Sequence, residues 1–349
     1  MNKKILHDRY RYSSRFNYKF KKDINHNYYD EFNIKYPKEK YWKKFNCFIC
    51  DDRNFEIISE VDRYGYYHPT GFCNNCGHIQ QTEFMDNIAL EIFYKDYFRK
   101  IYDIKTPYEN FEFTKLNRSH DIFHFTNSVI RAKKVLDIGC GTGGVLSAYK
   151  ENGCDVLGLD FDDDYLSEAK NNNIFVKKGS IDVLRKDEKF DLIIISHVLE
   201  HVLNPVVFLK EIINHLSNDG VIYIEVPSLE SVLEGLYEFD LRNFFHNTHV
   251  SNFSLDSLNL MAKKTNLKMI KSNNLIQSCW VKSLNENISE KDKKYVLKKN
   301  QILISNIEKN RNGLFTNIQK KIFKIRIIIV KILEKLKIKH KIKFFFKSK

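Results

Sequence analysis

Val135-Leu136-Asp137-Ile138-Gly139-Cys140-Gly141-Thr142-Gly143-Gly144 is the stretch from which the fold is read. Strand-forming apolar residues run straight into a glycine-rich turn, and residues 145–150 carry a helix pattern. Glycine is needed where the chain reverses tightly and where a ligand must come against backbone without meeting a Cβ. The helix beyond such a turn offers unpaired N–H groups at its start. Strand, glycine turn and helix in this order predict a cofactor loop.

The pattern downstream is regular. Residues 155–160 read as a strand, 165–171 as a helix, 174–178 and 190–196 as strands, 206–216 as a helix and 221–226 as a strand. Alternation of this kind predicts an α/β fold whose parallel sheet is covered on both faces. Ligands of such sheets lie beyond the carboxyl ends of the strands. The Gly139 loop, Asp160 with Phe161, Ser180 with Ile181, and Ser196 with His197 all fall there. By spelling, Gly139, Gly141 and Gly144 fit the dinucleotide pattern G-x-G-x-x-G. Asp137, Gly139, Gly141 and Gly143 equally fit the D-x-G-x-G-x-G of S-adenosylmethionine (SAM) enzymes. Asp160, 19 residues after Gly141, could accept both ribose hydroxyls of either cofactor.

Two further stretches separate these cofactors. Residues 190–202, FDLIIISHVLEHV, and 220–227, GVIYIEVP, resemble the fourth- and fifth-strand segments of class I SAM-dependent methyltransferases. That resemblance implies a Rossmann-like, seven-stranded sheet ending in an antiparallel pair, here at 267–271 and 276–282. It also implies SAM bound by Asp137, Gly139, Gly141, Gly143, Asp160, Phe161, Ser180, Ile181, Ser196 and His197. Many relatives place an acid where this chain has Ser180, so the Ser180 hydroxyl or the Ile181 N–H is expected to meet the adenine.

Ahead of this core stand Cys47-Phe48-Ile49-Cys50 and, after 22 intervening residues, Cys73-Asn74-Asn75-Cys76. Each C-x-x-C turn can aim two thiolates at one tetrahedral ion, and residues 55–67 read as strands of a hairpin. Four thiolates leave no open position, so a structural Zn2+ in a zinc-ribbon module is expected. A zinc segment followed by this core resembles bacterial sugar C-methyltransferases and methyltransferases found with surface-polysaccharide synthesis. The likeness spans roughly residues 45–282, with two departures. Too few residues follow for the further domain those sugar enzymes carry. Where they have a Tyr-His-Glu-His run, this chain reads His246-Asn247-Thr248-His249.

Removing a proton from carbon beside a ketone needs a well-supported base, whereas a hydroxyl asks less. The altered run therefore favours O-methylation of a sugar or glycan over C-methylation of a nucleotide-linked keto sugar. His249 is the expected general base, His246 a helper in substrate placement and Glu225 the next candidate, with His201 expected to hold the loop after the fourth strand. An RNA substrate is disfavoured, since neither a Pro-Pro-aromatic segment after the fourth strand nor a Pro-Cys nucleophile is present.

The remaining segments are read from composition. Residues 1–45 form a basic, aromatic arm or layer, packed through Tyr28, Tyr29 and Phe32; 46–81 the zinc module; 82–133 a helical cover; 134–282 the SAM core; and 283–349 a helical, basic tail. In the cover, Leu90, Tyr94, Tyr97 and Ile101 fall on one helical face, widened by Ile88, Ile92, Phe93 and Phe98, and Pro107 marks a break. From residue 320 onward there are 12 Lys/Arg against Glu334 alone, which is +11 of the net +13. The body is thus nearly neutral, and nucleic acid is not an expected partner. Neither a signal-peptide core nor an apolar run long enough to span a bilayer is found, and paired cysteines suit a reducing compartment, so a cytoplasmic protein is expected. Ile325, Ile329, Ile332, Leu333 and Leu336 recur at helical spacing among the tail lysines. Such a helix suits either peripheral contact with the inner membrane surface or packing on the body.

Overall fold

The computed structural model describes residues 5–313 apart from 103, 104, 274–276, 285 and 312. The N-terminal part contributes β1 (Trp42–Lys44), β2 (Phe55–Val61), β3 (Tyr67–Cys73), β4 (Ile79–Gln81) and β5 (Glu83–Met85). The main sheet is built from β6 (Lys134–Ile138), β7 (Asp155–Asp160), β8 (Val176–Lys178), β9 (Phe190–Ser196) and β10 (Leu216–Glu225). After the short β11 (Ser251–Asn252) it is completed by β12 (Leu267–Ser272) and β13 (Gln277–Lys282). Its order is β12-β13-β10-β9-β6-β7-β8. β6 to β10 run parallel, while β13 runs antiparallel to both of its neighbours. The expected antiparallel pair at the end of the chain's sheet is present as β12 and β13.

The strands are almost unbroken apolar runs because both faces are covered. On one face Leu136, Ile138, Ile193, Ile195, Ile222 and Ile224 share a core. Val135, Leu192, Ile194, Val221 and Tyr223, one residue out of phase, share the core on the other. Period-two alternation thus feeds two separate cores from the same strands.

Helix entries are set locally. Asp162 accepts the N–H groups of Asp164 and Tyr165 at the head of helix Asp163–Asn171, and Asn204 caps Pro205–Ile213. Pro107 opens helix Pro107–Thr114 behind a Thr106/Glu109 capping box, the break that the sequence predicts. The packed stripe of the preceding helical segment differs from expectation. Ala89, Phe93, Tyr97 and Ile101 are buried, whereas Ile88 is 61% exposed and Tyr94 36%. Residues Phe93–Tyr97 form a wide π turn, which takes in an extra residue and keeps a four-residue step on one face.

A second sheet, β11-β4-β3-β2, joins the cysteine-bearing hairpin to the core. Ser251 pairs with Gln80 and Asn252 with Ile79, so the segment after His249 is a strand of the N-terminal module. Residues 5–20 lie against the body, where the buried Arg9 reaches Asp240 at 2.7 Å and Glu308 at 2.9 Å. Tyr29 and Phe32 are buried against Phe93 and Tyr97, while Tyr28 is 38% exposed. Helix Glu290–Asn310 packs on the module, Asn300 Nδ2 donating to the Gly77 carbonyl at 2.9 Å. A Cβ on Gly77 would stand 2.6 Å from Leu297 Cα. The basic tail beyond residue 313 lies outside the described residues. Among the described residues no helix is long and apolar enough to cross a membrane.

Candidate active site

Gly139, Gly141 and Gly143 have φ of +70°, +54° and +73°, the left-handed region open to glycine without strain. The Leu159 carbonyl accepts from both Gly139 N (2.8 Å) and Cys140 N (3.0 Å), strapping the loop to β7. A Cβ on Gly139 would stand 2.6 Å from Val198 Cγ2. The cover helices are clamped on the loop's outer side. Thr142 Oγ1 donates to Asn110 Oδ1 at 3.0 Å, and Ser119 Oγ accepts from Ala148 N while donating to the Val145 carbonyl.

Asp160 differs from the simple ribose acceptor that the sequence suggests. Its Oδ2 accepts from Gly141 N at 2.9 Å and its Oδ1 from Asp162 N at 3.0 Å. Burial raises its pKa, and these backbone N–H groups oppose the rise. The residue therefore holds the loop, and its remaining lone pairs are what a ligand could use. Asp137 is 2% exposed, and no hydrogen bond to its carboxylate is found among the described residues. Burial pushes it up to about 8 against the opposing charge of Arg118. Phe161 is 69% exposed beside Asp160. The Ser180 N–H is taken by Asp182 Oδ1 at 3.2 Å, and Ile181 is buried.

Arg118, on the cover, was not anticipated from the sequence. It donates to Ser196 Oγ and to Glu225 Oε2, both at 2.6 Å. Glu225 also accepts from Ser196 Oγ (2.6 Å) and the Tyr223 hydroxyl (3.1 Å). Burial alone would raise its carboxyl, but the His197 hydrogen bond and the Arg118 charge outweigh it and hold it at about 2. A carboxylate so stabilised is ionised near neutrality and a weak base.

His197 sits at φ +56°, unusual for a side-chain-bearing residue, with Nδ1 3.3 Å from Glu200 Oε1 and Nε2 3.6 Å from Glu225 Oε1. Burial would lower its pKa, but the two carboxylates prevail and raise it to about 9, so it is a cation at neutral pH. Glu200, a second residue not anticipated, is 1% exposed. His201 Nδ1 lies 3.0 Å from the Thr248 carbonyl and ties the loop after β9 to the 246–249 turn, as expected of it.

The two candidate histidines part company. His246 Nδ1 accepts from Thr248 N at 3.2 Å and sits 2.8 Å from Thr248 Oγ1, so its ring caps its own turn. The His249 ring has no hydrogen bond among the described residues and stands 4.9 Å, centre to centre, from the rings of both His201 and His246. Burial, then the charges of His246 and His201, hold its pKa well below 6.5, so it presents a neutral ring.

In the module, Cys47 Sγ is 3.4 Å from Cys76 Sγ and Cys50 Sγ 3.5 Å from Cys73 Sγ, and all four sulfurs lie within 4.8 Å of one another. Four sulfurs around a tetrahedral Zn2+ at ~2.3 Å would stand about 3.8 Å apart, so the cluster fits such an ion.

Residues 94–272 match the family model described as a methyltransferase domain. The chain is 38% identical over 105 residues to a ubiquinone biosynthesis O-methyltransferase of Glaesserella parasuis serovar 5 (strain SH0165), covering 26% of this chain and 44% of that protein. It is 28% identical over 114 residues to (S)-coclaurine N-methyltransferase of Papaver somniferum, covering 30% of this chain and 32% of that one. The chain thus spans under half the length of these curated relatives. Among solved structures, the plantazolicin methyltransferase BpumL in complex with SAH matches with a TM-score of 0.42 and 15% identity, over 56% of this chain and 94% of that one.

Proposed function

Because this chain belongs to the methyltransferase-domain family, we propose that it transfers a methyl group from SAM to a hydroxyl of a sugar or glycan during surface-polysaccharide synthesis. SAM, when bound, supplies an electrophilic methyl on a sulfonium. The residues fit such a cationic ligand: the buried Glu225 and the partly buried Asp160 bring carboxylates to the strand ends beside the buried Asp137, with Arg118 against Glu225. Gly139, Gly141 and Gly143 leave room for it, Asp160 and Phe161 flank the nucleoside, and Arg118 is placed to meet a carboxylate.

The observation that carries the reading is a row of polar side chains that leads from the strand ends to His249. It runs from Arg118, Ser196 and Glu225 through His197 and Glu200 to His201, whose ring abuts His249. Glu225 Oε2 already takes three donors and His197 is protonated, so the neutral His249 ring is the group best placed to accept the acceptor's proton. The ubiquinone relative's O-methylation supports an oxygen acceptor. The cysteine cluster is proposed to hold a structural Zn2+ that fixes β4, and through it β11 and the histidine turn. The basic tail is proposed as a peripheral contact with the inner membrane surface of the cytoplasm.

The test is incubation with labelled SAM and a panel of nucleotide sugars, extracted glycans and RNA. Label in the sugar or glycan fraction is expected, and label confined to RNA would overturn the acceptor class. His249→Gln should lower turnover on the order of 10²- to 10⁴-fold while SAM affinity stays unchanged.

A further inference from the structure

We propose that Glu200, His201 and His249 form a second cation site, separate from the four cysteines, for a divalent transition-metal ion. Their ligand atoms, one from each residue, lie within 4.8 Å of one another. The central observation is Glu200: its side chain is 1% exposed, yet neither carboxylate oxygen has a hydrogen-bond partner among the described residues. A buried carboxylate without donors is costly and calls for a positive charge. His197 is the nearest cation, its Nδ1 3.3 Å from Oε1, and its charge is shared with Glu225.

The imidazoles are oriented to complete the site. A carbonyl can only accept, so the 3.0 Å contact of His201 Nδ1 with Thr248 O places the ring proton on Nδ1. The His201 lone pair is then on Nε2, which faces Glu200 Oε1 at 3.8 Å. Two acceptors confronting each other with no hydrogen between them repel, whereas a cation between them binds both. A histidine whose second nitrogen is anchored on a backbone carbonyl is the usual support of a metal ligand. The Tyr94 hydroxyl oxygen, 3.0 Å from the same nitrogen, shares that proton as a second acceptor. His249 supplies the third donor, its ring bonded to nothing else among the described residues and packed edge-on to His201.

The donor set decides the class of ion. Two imidazoles and one carboxylate, without thiolate, suit Mn2+, Fe2+, Co2+ or Zn2+ and leave coordination positions open. The site's function deepens the methyl-transfer reading and rests on it. With the ion bound, an acceptor hydroxyl at an open position would release its proton to solvent more readily and His249 is a ligand; without it, the same ring is the direct proton acceptor.

The test is a Co2+ titration of the full chain carrying zinc on its cysteines, followed by visible absorption. One further equivalent of Co2+ should bind with weak bands and without the intense thiolate charge-transfer absorption. Glu200→Gln and His249→Gln should each lose this equivalent while keeping the cysteine-bound zinc and the wild-type circular dichroism. Tyr94→Phe should bind it on the order of tenfold more weakly. No second equivalent in the wild-type protein, or its retention in both ligand variants, overturns the site. If both ligand variants unfold, the wild-type titration and Tyr94→Phe decide. Co2+ binding without methyl transfer would count against the methyl-transfer reading alone, and methyl transfer without Co2+ binding against this site alone.

Discussion

Replacing Asp160 by alanine should damage the loop and the cofactor affinity together, and the structure sets the scale of both effects. The carboxylate accepts two backbone N–H groups, from Gly141 at 2.9 Å and Asp162 at 3.0 Å. Hydrogen bonds to a charged group contribute about 1.5 to 3 kcal/mol each, so two could approach 6 kcal/mol. Burial, however, raises the pKa of this carboxyl, which means the site pays for desolvating the charge that alanine removes. The net loss of folding stability should therefore fall near about 2 kcal/mol. A carboxylate has roughly four lone-pair directions and two are occupied, leaving the others for ribose hydroxyls. Losing that acceptor should weaken SAM ten- to a hundredfold, about 1.4 to 3 kcal/mol. Asp160→Asn is the informative companion. Its amide oxygen can keep one backbone bond, while its NH2 confronts the other N–H, so it should lie between the wild type and alanine. Urea unfolding measures the first effect and calorimetry with SAM the second. Unchanged SAM affinity in Asp160→Ala would refute the cofactor placement, and unchanged stability would refute the role of the carboxylate as the loop's strap.

Purified protein should contain one zinc, and chelation should unfold at least the cysteine module, since structural zinc supplies roughly 10 to 16 kcal/mol in small fingers. Chelation should also expose helix Glu290–Asn310, which rests on Gly77, to proteolysis; metal analysis without stoichiometric zinc would end the idea. His197 is raised to about 9 by Glu200 and Glu225, so its contribution to stability is fully present below about 6.5 and is lost as pH rises through 9. Its side chain is 40% exposed, and screening reduces the effect to about 1 kcal/mol; urea midpoints that fall from pH 7 to 10 in the wild type but not in His197→Gln would bear this out, and parallel profiles would refute it. The full chain should float with anionic liposomes at low salt and a chain ending at residue 317 should not, each Lys or Arg near the surface contributing about 1 kcal/mol. Equal flotation of both chains would exclude the tail as the anchor.

Much of the architecture is written locally. The glycine loop, the capping residues Asp162 and Asn204 and the strand runs of β6, β7, β9 and β10 follow from short-range sterics, hydrogen bonds and apolar periodicity, so one stretch of sequence suffices to read them. The two C-x-x-C pairs are legible for the same reason, because thiol spacing sets which sulfurs can meet. The buried stripe on residues 87–102 departs from the helical period where a π turn intervenes, and its Phe93 and Tyr97 share a core with Tyr29 and Phe32 from far earlier in the chain.

What the tertiary structure alone decided is the electrostatic character of the site. Nothing near residue 225 in the chain announces that Arg118 will lie 2.6 Å from its carboxylate and His197 on its other side, and those neighbours hold its carboxyl well below the usual range. Likewise, His246 and His249 look equivalent in sequence, yet Thr248 occupies one ring while the other faces His201 and Glu200. The pairing of Asn252 with Ile79 holds that turn in place across about half of the chain. A residue's type and spacing determine what chemistry it can offer. Its proton and its partners depend on burial and on charges brought close from distant sequence, because Coulomb and desolvation energies depend on distance through space, not along the chain.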